Sequence, residues 1–123
     1  MSAYSAPTGE MNPVLTEIIT TLGGKYISLH SASPGTTGAN EISGGSPAYA
    51  RIATTWGSLA GTNPDSVAGS QVTINVPAST TIQYWGIWTA ATGGTYLDGG
   101  ALPTNETYGS QGTYLLTPTL TVS

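Results

Sequence analysis

One histidine, six carboxylates and no cysteine narrow the acid–base, nucleophilic and metal chemistry open to this chain of 123 residues. A Ser-His-Asp arrangement would have to use His30, which has Ser28, Ser31 and Ser33 close by in sequence, but no G-x-S-x-G elbow frames any of these serines. The plainer expectation for His30 is a hydrogen-bonded histidine at the end of a strand. Zinc lacks its favoured ligands. Asp65, Asp98 and Glu106 carry the charge a calcium ion needs, yet they show no D-x-D-x-D spacing and read as solvated loop carboxylates. A carboxylate pair for glycoside hydrolysis is set in space rather than in sequence, so spacing alone leaves it open. In Gly23-Gly24-Lys25, Ile19 stands where a phosphate-binding loop needs its upstream glycine and Tyr26 where it needs Ser or Thr, so the glycines read as a helix stop. Asn105-Glu106-Thr107 fits the glycosylation acceptor pattern but follows no secretory signal, and reads as chance. The expectation is a non-enzymatic chain with no cofactor and no metal.

Aromatic residues offer more. Tyr4, Tyr26, Tyr49, Tyr84, Tyr96, Tyr108 and Tyr114 with three tryptophans can serve as a sugar-stacking platform, or as core and subunit-interface anchors. Most of them fall inside expected strands, which favours the core and interface reading. Tyr108, placed in a loop, is the exception.

The element that must position these side chains runs from Thr80 to Leu102. Ile82, Tyr84, Trp85, Ile87 and Trp88 put bulky groups on both faces of an extended segment, the pattern of a strand buried on both sides. Gly93-Gly94 supplies a turn with positive φ, and Tyr96, Leu97 and Leu102 resume beyond it, so the stretch reads as a central β-hairpin. Lys25 to His30 and Gln71 to Val76 alternate with the period of half-buried strands, the second with Val72, Ile74 and Val76 inward. Further extended runs fall at Ala48–Trp56, Thr113–Leu116 and Thr119–Val122, with Pro118 at a break. That makes about seven strands. Ser31–Pro47, Gly57–Gly69 and Pro103–Gly112 read as loops, the first long enough to be reserved for contact. Upstream, Asn12-Pro13 caps a short amphipathic helix over residues 13–22, with Val14, Leu15, Ile18, Ile19 and Leu22 in one stripe. The expected architecture is all-β: a single-domain antiparallel β-sandwich or jelly roll with one short N-terminal helix. Residues 1–12 form an arm, and residues 13–123 form the sandwich domain including the helix.

Bulk properties narrow the partners. Charged residues are 7% of the chain and the net charge is −4, with only Lys25 and Arg51 positive, so neither nucleic acid nor an anionic membrane is an expected partner. No stretch approaches a membrane span, and the N-terminus has no Sec-type character. Low charge with 38% hydrophobic residues argues for a folded chain. No fixed repeat and no heptad marks a fibrous shaft.

The tracts YISLHSASPGTTGANEISGGSPAYARIA from Tyr26 and WGIWTAATGGTYLDGGALPTNETYGSQGTYLLTPTLTV from Trp85 resemble small virion proteins of tailed bacteriophages, notably those infecting actinobacteria. Such proteins are described as tail fibre, minor tail or capsid decoration proteins. The likeness covers about the last hundred residues and leaves out Met1–Asn12. It implies a structural protein of the virion, assembled in the host cytoplasm, whose partners are the major capsid protein or tail proteins of the same particle. A compact chain without a shaft fits a capsid decoration protein cementing the outer shell. A homo-oligomer, with a trimer favoured, is implied by similarity to decoration proteins. The alternative is the tip of a tail fibre or minor tail protein that touches host-surface glycans. Expected partner-binding residues are Tyr4 and Pro7 in the arm, the stripe Val14, Leu15, Ile18, Ile19 and Leu22, and Tyr108.

Overall fold

In a computed structural model, residues 24–57 and 66–121 are described. The arm, the helix at 13–22 and the boundary between residues 12 and 13 therefore lie outside the described residues, and with them Tyr4, Pro7, Val14, Leu15, Ile18, Ile19 and Leu22. Within the described residues the chain is all-β, as expected. Its strands are β1 (Tyr26–His30), β2 (Ile52–Ala53), β3 (Ser66–Ala68), β4 (Val72–Val76), β5 (Thr80–Trp88), β6 (Tyr96–Tyr108), β7 (Gly112–Leu116) and β8 (Thr119–Thr121). A four-stranded sheet runs in the order β2-β1-β5-β6, and two ribbons pair β3 with β8 and β4 with β7. Every pairing is antiparallel.

The hairpin of β5 and β6 stands at the centre of this arrangement. Gly93 and Gly94 take φ of 63° and 73°, the left-handed region that glycine enters without a Cβ penalty. Thr89 closes the turn, its N–H donating to the Thr95 carbonyl at 3.1 Å and its Oγ1 accepting the Thr95 N–H at 2.9 Å. β1 lies against the other edge of β5 with Ile27 opposite Ile87 and Leu29 opposite Trp85, so these four side chains share one face. Onto that face packs the β4–β7 ribbon. Val72, Ile74, Val76 and Leu116 join Ile27, Leu29, Ile42, Ile82, Trp85, Ile87 and Leu102 in one buried cluster, giving the two packed layers of a sandwich. Each fully buried aliphatic side chain contributes about 1.5–3 kcal/mol relative to exposure.

Three departures from the sequence reading have local causes. The segment read as a loop from Pro103 to Gly112 is strand as far as Tyr108, and Tyr108 is its last residue. On β5 the pairing steps from Ile82 to Tyr84, while on β6 it steps from Glu106 to Ala101. Of the surplus residues on β6, Leu102 stays in the core while residues 103–105 are exposed, and at Pro103 the missing N–H removes no ladder bond. The same irregularity returns Ile82 to the core side, although it stands three positions before Trp85, an odd step that regular alternation would put on the opposite face. Ala48–Trp56 contributes only the two residues of β2 and isolated bridges from Ala48 to Gly45 and from Trp56 to Gly69. Ser66–Ala68, inside the stretch read as a loop, forms β3 because β8 offers it a partner.

Candidate functional site

The face of the four-stranded sheet turned away from the core is covered by the segment between β1 and β2. Ser31 N–H donates to the Asn40 carbonyl at 2.9 Å, Ile42 N–H to the Leu29 carbonyl at 3.1 Å, and Gly38 N–H to the Pro34 carbonyl at 3.0 Å. These bonds fold residues 31–42 back over the sheet.

Beneath this cover lie Ser28 and His30, both fully buried. Their side chains meet at 2.7 Å between Oγ and Nε2, and His30 Nδ1 is 2.7 Å from the Ala39 carbonyl. A carbonyl only accepts, so Nδ1 carries the proton and Nε2 accepts from the Ser28 hydroxyl. Ser28 Oγ in turn accepts the indole N–H of Trp88 at 2.8 Å. Burial lowers the His30 pKa from its ordinary value, although the Ala39 carbonyl and Glu41 pull it upward. The contact has the elements of a nucleophile and its base, but a nucleophile must reach substrate, and Ser28 is sealed under Trp88. The expected histidine, hydrogen-bonded at a strand end, is what the fold contains.

A second polar cluster locks the cover to the hairpin. Arg51 forms a fork to Glu41, Nε to Oε2 and Nη2 to Oε1, each at 2.9 Å, and its Nη1 donates to the carbonyls of Ala90 at 3.0 Å and Gly93 at 2.8 Å. The guanidinium sits 3.6 Å from the centre of the Trp88 ring. Tyr49 completes the cluster, its hydroxyl donating to Glu41 Oε2 at 2.6 Å and accepting the Leu29 N–H at 3.2 Å. Burial pushes the Glu41 carboxyl upward, but the hydrogen bonds from Arg51 and Tyr49 outweigh it and hold it below its ordinary value. Burial, then the bond to Glu41, raises the Tyr49 hydroxyl far above its usual range. One of the chain's two cations thus has a structural task. Its ten-residue spacing from Glu41 matches no local motif, which is why sequence reading missed the pair.

Beside these clusters the same face opens into a groove of about 160 Å³, lined by Ser33 and Pro34 on one side and by Tyr84, Tyr96, Asp98 and Gly100 of β5 and β6 on the other. Tyr96 stands edge-on to Trp88 at 5.4 Å and to His30 at 6.2 Å between ring centres. Its hydroxyl is pushed up to about 12 by burial and by Asp98. Asp98 Oδ1 accepts the Gly99 N–H at 2.8 Å. The loop read as reserved for contact does border a concave surface, together with two of the tyrosines.

Tyr108 is elsewhere and is not a loop residue. Half-buried against the core, it donates from its hydroxyl to the Thr113 carbonyl at 2.8 Å and thereby ties β6 to β7. Burial, then Glu106 and Tyr114, raise its pKa. Tyr49 and Tyr114 also pack against the core. Among the described residues no three His, Cys, Asp or Glu side chains gather as a metal site, and no helix is long and apolar enough to cross a membrane.

Compared with known families, residues 10–122 match the sequence model of the family described as podophage GP4 fiber I protein gp80. The match takes in all but the first nine residues and the last one. No curated protein matches the chain.

Proposed function

Because the chain belongs to the podophage GP4 fiber I protein gp80 family, we propose that it is a non-enzymatic component of a virion fibre, held by other tail proteins and offering a folded surface to the host. The family match carries this reading. It favours the fibre alternative over the capsid decoration role that a shaftless chain suggested by itself. It also leaves the host open, actinobacterial or otherwise.

The structure is compatible with that work. The hairpin, the cover over residues 31–42 and the Glu41–Arg51 clamp fix one face as a rigid platform, and rigid presentation limits the ordering entropy lost on contact. The partners in this reading are tail proteins of the same particle and further copies of this chain. The arm residues Tyr4 and Pro7, the stripe Val14, Leu15, Ile18, Ile19 and Leu22, and Tyr108 are retained as candidate contacts with them. A homo-oligomer belongs to this reading, with the trimer implied by the likeness to decoration proteins kept as its order.

Antibody labelling of purified virions by electron microscopy, with copy number from a quantified gel, tests the placement. Label confined to the tail region with few copies per particle is the expected result. Label spread over the capsid in many copies would return the decoration reading.

A further inference from the structure

We propose that the groove between Pro34, Tyr84, Tyr96 and Asp98 binds a neutral sugar ring. The proposal deepens the fibre reading by naming the chemistry of the surface that the fibre presents, and its biological sense rests on that reading.

Composition decides the ligand class. No Lys or Arg lines the groove, so phosphates, nucleotides and acidic sugars find no cation among its lining residues. A divalent cation wants several oxygen ligands, and Asp98 is the only carboxylate lining the groove. At about 160 Å³ the space is smaller than the ~300–1,000 Å³ of pockets that enclose a drug-sized molecule, so it suits one ring resting in its mouth. A pyranose has an apolar C–H face and an edge of vicinal hydroxyls. Tyr84 and Tyr96 supply aromatic surface for the first, and the Asp98 carboxylate with the Ser33 hydroxyl supplies hydrogen-bond partners for the second.

The site is also built in advance. Tyr96 is held by Trp88 and His30, Asp98 is oriented by the Gly99 N–H, and the wall at 33–35 is tied down by Asn40 Nδ2 donating to the Ser33 carbonyl at 3.0 Å. Little is left to order when a ligand arrives, which is the condition under which a small, weakly enclosing site binds measurably. The Tyr96 phenol stays protonated at neutral pH and can donate as well as accept.

The test is amide chemical-shift titration of the full chain with methyl α-glucoside, methyl β-galactoside and N-acetylglucosamine, alongside choline and inorganic phosphate. Saturable shifts at Gly35, Gly99 and Gly100 are expected for at least one sugar in the millimolar range. Tyr84→Ala and Asp98→Asn should each weaken them about tenfold or more, and Tyr84→Phe should preserve them. The Trp88 indole N–H resonance reports that each variant is folded. Absence of a saturable response to every sugar overturns the proposal. So does the same response to choline or phosphate in place of sugar, or unchanged affinity in Tyr84→Ala. Fibre labelling of virions with no sugar response would sink the groove alone, whereas capsid labelling would sink the fibre reading whatever the sugars do.

Discussion

Arg51 stands with its guanidinium 3.6 Å from the centre of the Trp88 ring while forking onto Glu41, so one side chain joins the cover, the hairpin turn and the buried aromatics. Its side chain is 8% exposed and that of Glu41 21%, close to the buried regime in which removing one partner strands the other. Arg51→Lys keeps the charge but has no planar fork to reach Glu41 and two carbonyls together. We expect it to lose about 2–3 kcal/mol, for the carboxylate and carbonyl oxygens that an ammonium cannot reach together. Thermal unfolding should show a midpoint lower by roughly 10 °C for a domain of this size. A change within about 2 °C would mean that the clamp is ornamental.

Ser28 carries a second, independent prediction. Its hydroxyl accepts from Trp88 Nε1 and donates to His30 Nε2, so Ser28→Ala strands a buried donor and a buried acceptor at once. A loss of about 1–3 kcal/mol is expected for each stranded group. Ser31→Ala, which removes an exposed hydroxyl 3.4 Å from the Asn40 carbonyl, should stay within about 0.5 kcal/mol. Chemical denaturation of both variants checks the contrast, and equal midpoints would refute it.

Acid should weaken the fold in two stages. His30 has its pKa lowered in the folded chain, chiefly by burial, so the unfolded chain takes up a proton first as pH drops below the ordinary value of 6.5. Stability is therefore full above about pH 6.5 and is lost as pH falls toward and through the folded value. Glu41, also lowered, adds a second loss below its ordinary value of 4.5. Unfolding free energy measured against pH should slope downward from about pH 6.5 in the parent, and His30→Asn should flatten the curve until carboxylates begin to titrate. A slope unchanged in His30→Asn would assign the first stage to another group.

Much of this fold was legible because its signals are local. Val72, Ile74 and Val76 alternate, Gly93-Gly94 marks a hairpin, and Ile82 to Trp88 is apolar on both faces; the structure realises all three. What stayed hidden depends on partners distant in sequence. Ser66–Ala68 is a strand only because Thr119–Thr121 lies beside it, and Pro103 sits inside a strand only because a bulge opposite Gln83 excuses its missing N–H. The groove is of the same kind. Ser33, Tyr84 and Asp98 carry no common motif, and they come together because residues 31–42 fold across the hairpin. By type the tyrosines can be either anchors or platform, and the fold divides them: Tyr49, Tyr108 and Tyr114 pack against the core, while Tyr84 and Tyr96 line the groove.

Two glycines in that cover share a backbone conformation but not an environment, and this separates strain from packing. Gly35 has φ of 60° with open space where a Cβ would go, whereas Gly38 has φ of 80° with its Cβ position driven into the Trp88 ring and touching Tyr96. Gly35→Ala should therefore show only the left-handed backbone penalty, about 1–2 kcal/mol. Gly38→Ala adds overpacking against a ring that Arg51 and Ser28 hold in place, a further 1–3 kcal/mol or so. The indole cannot retreat without surrendering those contacts, so the segment at 34–39 must lift instead. Tryptophan fluorescence should then shift to the red in Gly38→Ala and not in Gly35→Ala, and the groove that shares Pro34 and Tyr96 should lose its sugar response with it. Equal stability and identical emission in the two variants would show that the cover does not bear on Trp88 at all.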